Sequence, residues 1–191
     1  MTETATREQL TPERWIDAAT ELLVDGGIDR VRVDLLAREL GVTRGSFYWH
    51  FRDREDLLRH VLEAWRQRAT EQLTARLESA ATDPREQVKD VLSLPFRGRA
   101  AVRAARIELA IRAWARRDAM ARQAVDEADA ARIGYIAQVF SALGFPIAEA
   151  RQRAWLVYSY LIAESLVAGG SAAQREERRR FVERLLQQPL G

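Results

Sequence analysis

Apolar residues recur at helical spacing along most of this chain, and the interruptions are caps, glycines and prolines. Thr11 offers a cap, Pro12 suits a first helical position and Glu13 suits the positive dipole end. Trp15, Ala18, Ala19, Leu22 and Leu23 then share one helical face up to the stop at Gly26-Gly27. Val33, Leu36, Ala37 and Leu40 repeat the i, i+3, i+4, i+7 pattern until Gly41. Thr43 caps a short third helix to roughly His50, with Phe47 and Phe51 on the side of Val42. Asp53 caps a fourth helix, with Asp56 at the capping-box position. Its apolar face runs Leu57, Leu58, Val61, Leu62, Trp65, Ala69, Leu73 and Leu77, about seven turns. Residues 1–10 read as a frayed arm.

A second body begins near Thr82-Asp83-Pro84, where Asp83 caps and Glu86 completes a box. Helices follow to about Leu94, from Arg99 to Arg116, from Asp118 along the stripe Val125, Ala128, Arg132, Ile136, Val139, Phe140 and Leu143, from Ile147 to Ala168, and from Ala173 to Gln187. Pro95 to Gly98 and Gly144-Phe145-Pro146 are breaks, and Gly169-Gly170 is a hinge. No strand-length alternation of β-branched residues occurs, so the pattern predicts an all-α fold of about nine helices, three of them in an N-terminal head.

Composition narrows the chemistry. The chain has 191 residues, is 47% hydrophobic and 30% charged, and contains no cysteine, which excludes disulfides, thiolate catalysis and Cys-type metal sites. There are two histidines, and no HExxH, GxSxG, GxxxxGK[ST] or GxGxxG string. We therefore expect no enzyme, no cofactor and no metal. The first residues carry neither an apolar core nor a basic leader. The apolar stretch Trp155 to Ala168 is short for a bilayer and carries Glu164. The expectation is a cytoplasmic protein without a membrane partner. Net charge is +2, but ten arginines against thirteen carboxylates leave residues 1–66 at −3. Bulk charge does not favour nucleic acid; only local cations such as Arg44, Arg52 and Arg54 do.

The stretch Val33 to Leu57 nonetheless reads as two short helices around a tight turn at Gly41-Val42, a polar aromatic patch, and a new helix at Asp53. This is a helix-turn-helix pattern, whose second helix suits the major groove of DNA. The run GGIDRVRVDLLARELGVTRGSFYWHFRDREDLL resembles the DNA-binding head of TetR-family transcriptional regulators. The likeness is carried by Leu36-Ala37, Gly41-Val42-Thr43, Tyr48-x-His50-Phe51, Arg54 and Leu57-Leu58. It implies that Thr43 holds a phosphate, that Arg44 and Ser46 reach bases or phosphates, and that Gly45 lets the backbone approach. Tyr48 and His50 would contact phosphates, Trp49 a sugar or thymine methyl, and Arg54 a flanking phosphate, with Phe47 and Phe51 in the core. Two positions depart from the family. Val31-Arg32 stands where a Ser or Thr cap is usual, so either the cap comes from elsewhere or Arg32 reaches a phosphate; Arg54 replaces Lys.

The remaining helix exceeds what reading DNA requires. We expect residues 1–58 to form the DNA-binding head and 59–191 a ligand-binding and dimerisation body. Candidate ligand contacts are Trp65, Arg106, Glu108, Trp114, Tyr135, Tyr158 and Glu164, with Arg106 and Glu108 also readable as surface residues. The last two helices would pair two copies through Trp155, Leu166, Phe181 and Leu185. The expected partners are thus a near-palindromic double-stranded operator, a small-molecule effector and a second copy of the chain. The expected activity is a ligand-released repressor. A helical sensor or partner-binding bundle without DNA binding is the alternative that the acidic head keeps open.

Overall fold

The computed structural model describes residues 10–71, 74, 75, 79, 83–166 and 170–188. The arm up to residue 9, Leu73, Leu77, Thr82, Ala168 and Gly169 lie outside the described residues, as does the side chain of Leu166. The described residues form nine α-helices and no strand: α1 (Pro12–Gly26), α2 (Val33–Glu39), α3 (Arg44–Phe47), α4 (Arg54–Arg66), α5 (Pro84–Ser93), α6 (Gly98–Ala115), α7 (Ala119–Ala142), α8 (Ile147–Leu166) and α9 (Ala172–Gln187). Short 3-10 turns span Ile28–Arg30 and Leu94–Phe96, and α4 continues into a π-helical turn, Gln67–Glu71.

Local chemistry sets most of these ends. Asp53 accepts the Asp56 N–H at 2.8 Å, and Asp118 accepts that of Ala121 at 2.9 Å. The Asp56 carboxylate reaches back one residue beyond the cap and accepts the Arg52 N–H at 3.1 Å. Gly41, at φ 67°, closes α2: its N–H donates to Arg38 and the Val42 N–H to Ala37 at 2.9 Å. This six-to-one bond needs a left-handed residue, which glycine adopts without a Cβ penalty. Some expected caps differ. Thr11 sits at the α1 N-cap, but its hydroxyl bonds the Glu13 carboxylate rather than the backbone and holds that carboxyl below its ordinary range. Glu86 pairs with Lys89 at 2.6 Å and completes no box. Ser171 and Gln174 form a full capping box on α9 that the pattern did not suggest.

Two apolar cores result. The first joins Trp15, Leu23, Val31, Leu36, Phe47, Leu57 and Trp65 to Ile111, Trp114 and Val125. The second gathers Val88, Leu92, Ile136, Phe140, Val157 and Leu186. Each of these side chains contributes roughly 1.5–3 kcal/mol by leaving water. Helix α7 serves both cores, with Ala121, Val125 and Ala128 in the first and Tyr135 to Phe140 in the second. Its 24 residues make a rod of about 36 Å.

Candidate nucleic-acid interface

Helix α3 is short because its inner face is held at two points. Phe47 is fully buried, Phe51 nearly so, and their rings lie 5.4 Å apart. Phe47 also meets Trp15 edge-on, and Phe51 meets His60 at 5.4 Å. Past Phe47 the chain continues as turns, with the His50 N–H on the Phe47 carbonyl at 3.0 Å. The expected helix to His50 is therefore one turn of α-helix plus these turns.

The outer face carries the opposite chemistry. Tyr48 is 56% exposed and Trp49 87%, although both belong to residue types that normally seek cover. Thr43, Arg44 and Gly45 are exposed beside them, while Ser46 and His50 are half-buried. Thr43 occupies the α3 N-cap with extended backbone, and its hydroxyl makes no cap bond. A Cβ on Gly45 would meet only the Thr43 hydroxyl oxygen, at 3.7 Å, an ordinary contact. Nothing inside the chain demands glycine there.

Two expected cations are engaged within the chain. Arg54 turns inward and donates to the carbonyls of Val31 and of Ile28, the latter at 2.7 Å, tying the α1–α2 connection to the start of α4. Arg32 stands at the α2 N-cap and grips Asp34 through its Nε and one terminal nitrogen, at 3.2 and 3.1 Å. Asp56 gathers the Arg52 N–H and the guanidinium of Arg59 at 3.0 Å. The Arg52 amide, then the Arg52 side chain, hold the Asp56 carboxyl below its ordinary range.

The acidity of the head has a definite place. Asp17, Glu21 and Asp25 fall at i, i+4 and i+8 on α1 and face arginines of the body: Arg68 at 3.0 Å, Arg103, and Arg106 at 3.3 Å. This column is a clasp between head and body, and its three carboxylates are each paired with an arginine.

Behind the head, the body holds a buried polar network. Glu108 accepts from Arg112 at 2.8 Å and from Arg132 at 3.1 Å, Asp129 accepts from Arg112, and Arg132 reaches the Thr70 hydroxyl at 3.1 Å. Tyr158 donates to Asp129 and accepts from Arg112 at 2.9 Å and Arg132 at 3.2 Å. Burial, only partly offset by the Arg132 charge, pushes the Tyr158 hydroxyl up to about 12, so it stays a neutral donor. A small cavity of about 50 Å³ adjoins this network, lined by Thr70, Tyr135 and Tyr158 among others. Arg132 stacks over Trp65 at 5.4 Å, and the buried Trp65 indole N–H has no acceptor.

The expected ligand contacts thus divide. Tyr135 and Tyr158 line one cavity, whereas Trp65 lies in the first core and meets the cavity wall only through Arg132, which stacks over its ring. Trp114 lies in the first core, Arg106 sits exposed in the clasp, and Glu164 pairs with Arg178 at 2.6 Å, linking α8 to α9. Glu108, readable from the sequence as a surface residue, is buried. Of the expected pairing residues, Trp155, Phe181 and Leu185 are exposed. Among the described residues no set of His, Cys, Asp and Glu could hold a metal, and no helix is long and apolar enough to cross a membrane.

Fold and site together define a helix-turn-helix protein whose second helix is fixed from behind by Phe47 and Phe51 and open in front at Tyr48 and Trp49. Residues 16–61 match the model of bacterial regulatory proteins of the tetR family. The HTH-type transcriptional regulator SrpR of Pseudomonas putida is 44% identical over 59 residues, which are 31% of this chain and 28% of that regulator's length. The chain thus shares only its head with that relative. Over the whole length the fold matches a transcriptional regulator from Rhodococcus sp. Rha1, with TM-score 0.70 at 22% identity, covering 93% of this chain and 92% of that one. It also matches the multidrug binding protein EbrR complexed with malachite green, with TM-score 0.63 at 20% identity and coverage of 94% and 98%. Likeness at that identity carries the fold alone.

Proposed function

We propose that the chain is a dimeric, operator-binding transcriptional repressor released by a small-molecule effector. The observation that carries this reading is the contrast across α3. Phe47 is buried at 0% exposure, while Tyr48 and Trp49 stand out at 56% and 87%. A core aromatic would not leave its neighbours in water without a surface to meet. Thr43, Arg44, Gly45, Ser46, Tyr48, Trp49 and His50 are the proposed contacts, with Arg32 at the margin. Arg54 acts by holding the α1–α2 connection, so its share in phosphate binding is through that shape. Residues 1–58 read the operator, and residues 59–191 sense and pair.

The small cavity beside Tyr158 is the proposed effector site. Drug-sized ligands need about 300 Å³ or more, so an effector must open the Arg112–Asp129–Tyr158 bonds to enter. That would shift α7 and the π-helical end of α4, and with them the spacing of two heads. A coupling of about 1–3 kcal/mol suffices for 5–150-fold in DNA affinity. Pairing is assigned to α8 and α9, whose exposed Trp155, Phe181 and Leu185 fit a second copy, with Leu166 assigned from sequence.

Gel-shift on the gene's own upstream region tests the core of this reading. Binding should fall steeply with salt, by a slope of about −0.9 per phosphate neutralised. Tyr48→Ala and Arg44→Ala should each weaken it. No shift at low salt on any upstream fragment would sink it.

A further inference from the structure

A second and much larger cleft, of about 1010 Å³, opens where head and body meet. Its walls come from α1, the 3-10 turn, the first half of α6 and the start of α9. The apolar part is Val24, Phe96, Val102 and Ile107, and Val102 is 62% exposed although nothing in the helix requires an apolar residue there. The cleft is distinct from the cavity beside Tyr158 and shares no lining residue with it.

Its charges are unbalanced. Among the acids lining it, Glu21 is paired with Arg103, and Glu176 is held by Arg179 and Arg180. Arg99 and Arg175 also line the cleft, and neither has an ion pair among the described residues. The Arg175 Nε is buried and meets no acceptor. Burying a guanidinium nitrogen without a partner is costly, and the cost falls when an anion arrives. Both arginines sit in the first turns of helices, α6 and α9, where the dipole disfavours a cation. Helix α6 has no side-chain cap, because its N-cap residue is Arg97, whose guanidinium carries no acceptor and donates to Asp90 at 3.1 Å. Its first turn, which begins at Gly98 in the cleft wall, therefore has no side-chain cap.

We propose that this cleft binds an anionic amphiphile. The compact oxyanion sits between Arg99 and Arg175 over the open first turn of α6, and the apolar tail lies against Phe96, Val102 and Ile107. Occupancy also sets a negative charge beside Arg103 and Arg106, the arginines that clasp Glu21 and Asp25 of the head. The ligand thus competes for the cations that hold α1 to α6.

Dodecanoate is a suitable probe, titrated below its micellar range into the full chain and followed by thermal shift and calorimetry. Dodecyltrimethylammonium controls for the sign of the charge and acetate for the tail. Dodecanoate should raise the unfolding midpoint and the other two should not. The Arg99→Gln/Arg175→Gln double variant should bind at least tenfold more weakly and, without ligand, be no less stable than the parent. Val102→Glu, a surface change that leaves both arginines in place, should weaken binding as well. Tyr158→Phe, which alters only the inner cavity, should leave it unchanged. Equal binding by the parent and the double variant, binding of the cationic amphiphile, or loss of binding in Tyr158→Phe would each overturn the proposal. None of these outcomes depends on whether the head binds DNA.

Discussion

Phe47 stands edge-on against Trp15, with ring centroids 5.4 Å apart and planes at 77°. This contact ties α3 to α1 and fixes which way the exposed face points. Phe47→Ala should cost about 3–5 kcal/mol in chemical denaturation, the range for emptying a large buried aromatic site. Operator binding should fall with it.

Gly45→Ala separates stability from recognition. A Cβ there meets no clash within the chain, and alanine is the better helix former by roughly 0.5–1 kcal/mol. The variant should unfold at equal or higher denaturant and yet shift DNA less well. A variant with unchanged DNA affinity would mean that no duplex backbone comes close to this residue.

Asp56 gives the head an acid-sensitive point. Its carboxyl is held below the ordinary value by the Arg52 N–H, so the charged form is favoured in the folded chain. The stability it adds is present above the unfolded value of roughly 3.9 and drains away as pH falls through the lower native value. Unfolding midpoints followed from about pH 6 down to about pH 3 should therefore fall more steeply for the parent than for Asp56→Asn.

Arg132 is the hinge of the inner network. Arg132→Met leaves Glu108 and the Tyr158 hydroxyl without one of their donors, and should cost about 3–5 kcal/mol. Adding Glu108→Gln should recover part of that loss, since the stranded charge is then gone. Denaturation of both variants gives the comparison.

Phe181→Asp and Leu185→Asp should leave the fold intact, since both side chains are exposed in one copy. In the dimer they would sit at the pairing face, and each should weaken association by about 2 kcal/mol or more if they are anchors. Light scattering across a dilution series reads this directly. Association equal to the parent would move the pairing face elsewhere.

The head was legible because its signals are local. Gly41 must be left-handed, Asp53 must cap, and Phe47 and Phe51 differ from Tyr48 and Trp49 only by helical phase. The body was less so. Arg132 fell on the apolar stripe of α7, between Ala128 and Ile136, and that was the available sign of buried counter-charges. A single sequence does not say which carboxylates meet it, because Glu108 and Asp129 are brought there by tertiary packing of α6 on α7. Arg106 and Glu108, two positions apart on α6, shared one surface reading and separate in the fold, one into the clasp and one into the network. The sum of charges over the head counted Asp17, Glu21 and Asp25 equally with its other carboxylates, whereas all three are paired with arginines beyond the head, Arg68, Arg103 and Arg106.

One core runs without a break from Trp15 through Trp65 to Trp114 and Val125. The N-terminal helices are therefore not a bead on a string. Severed after α4, they would lose the cover that Ile111, Trp114 and Val125 provide and present bare oily surface to water. A seam packed in this way resists the swing of a loose joint and leaves room only for small slides of interlocked side chains.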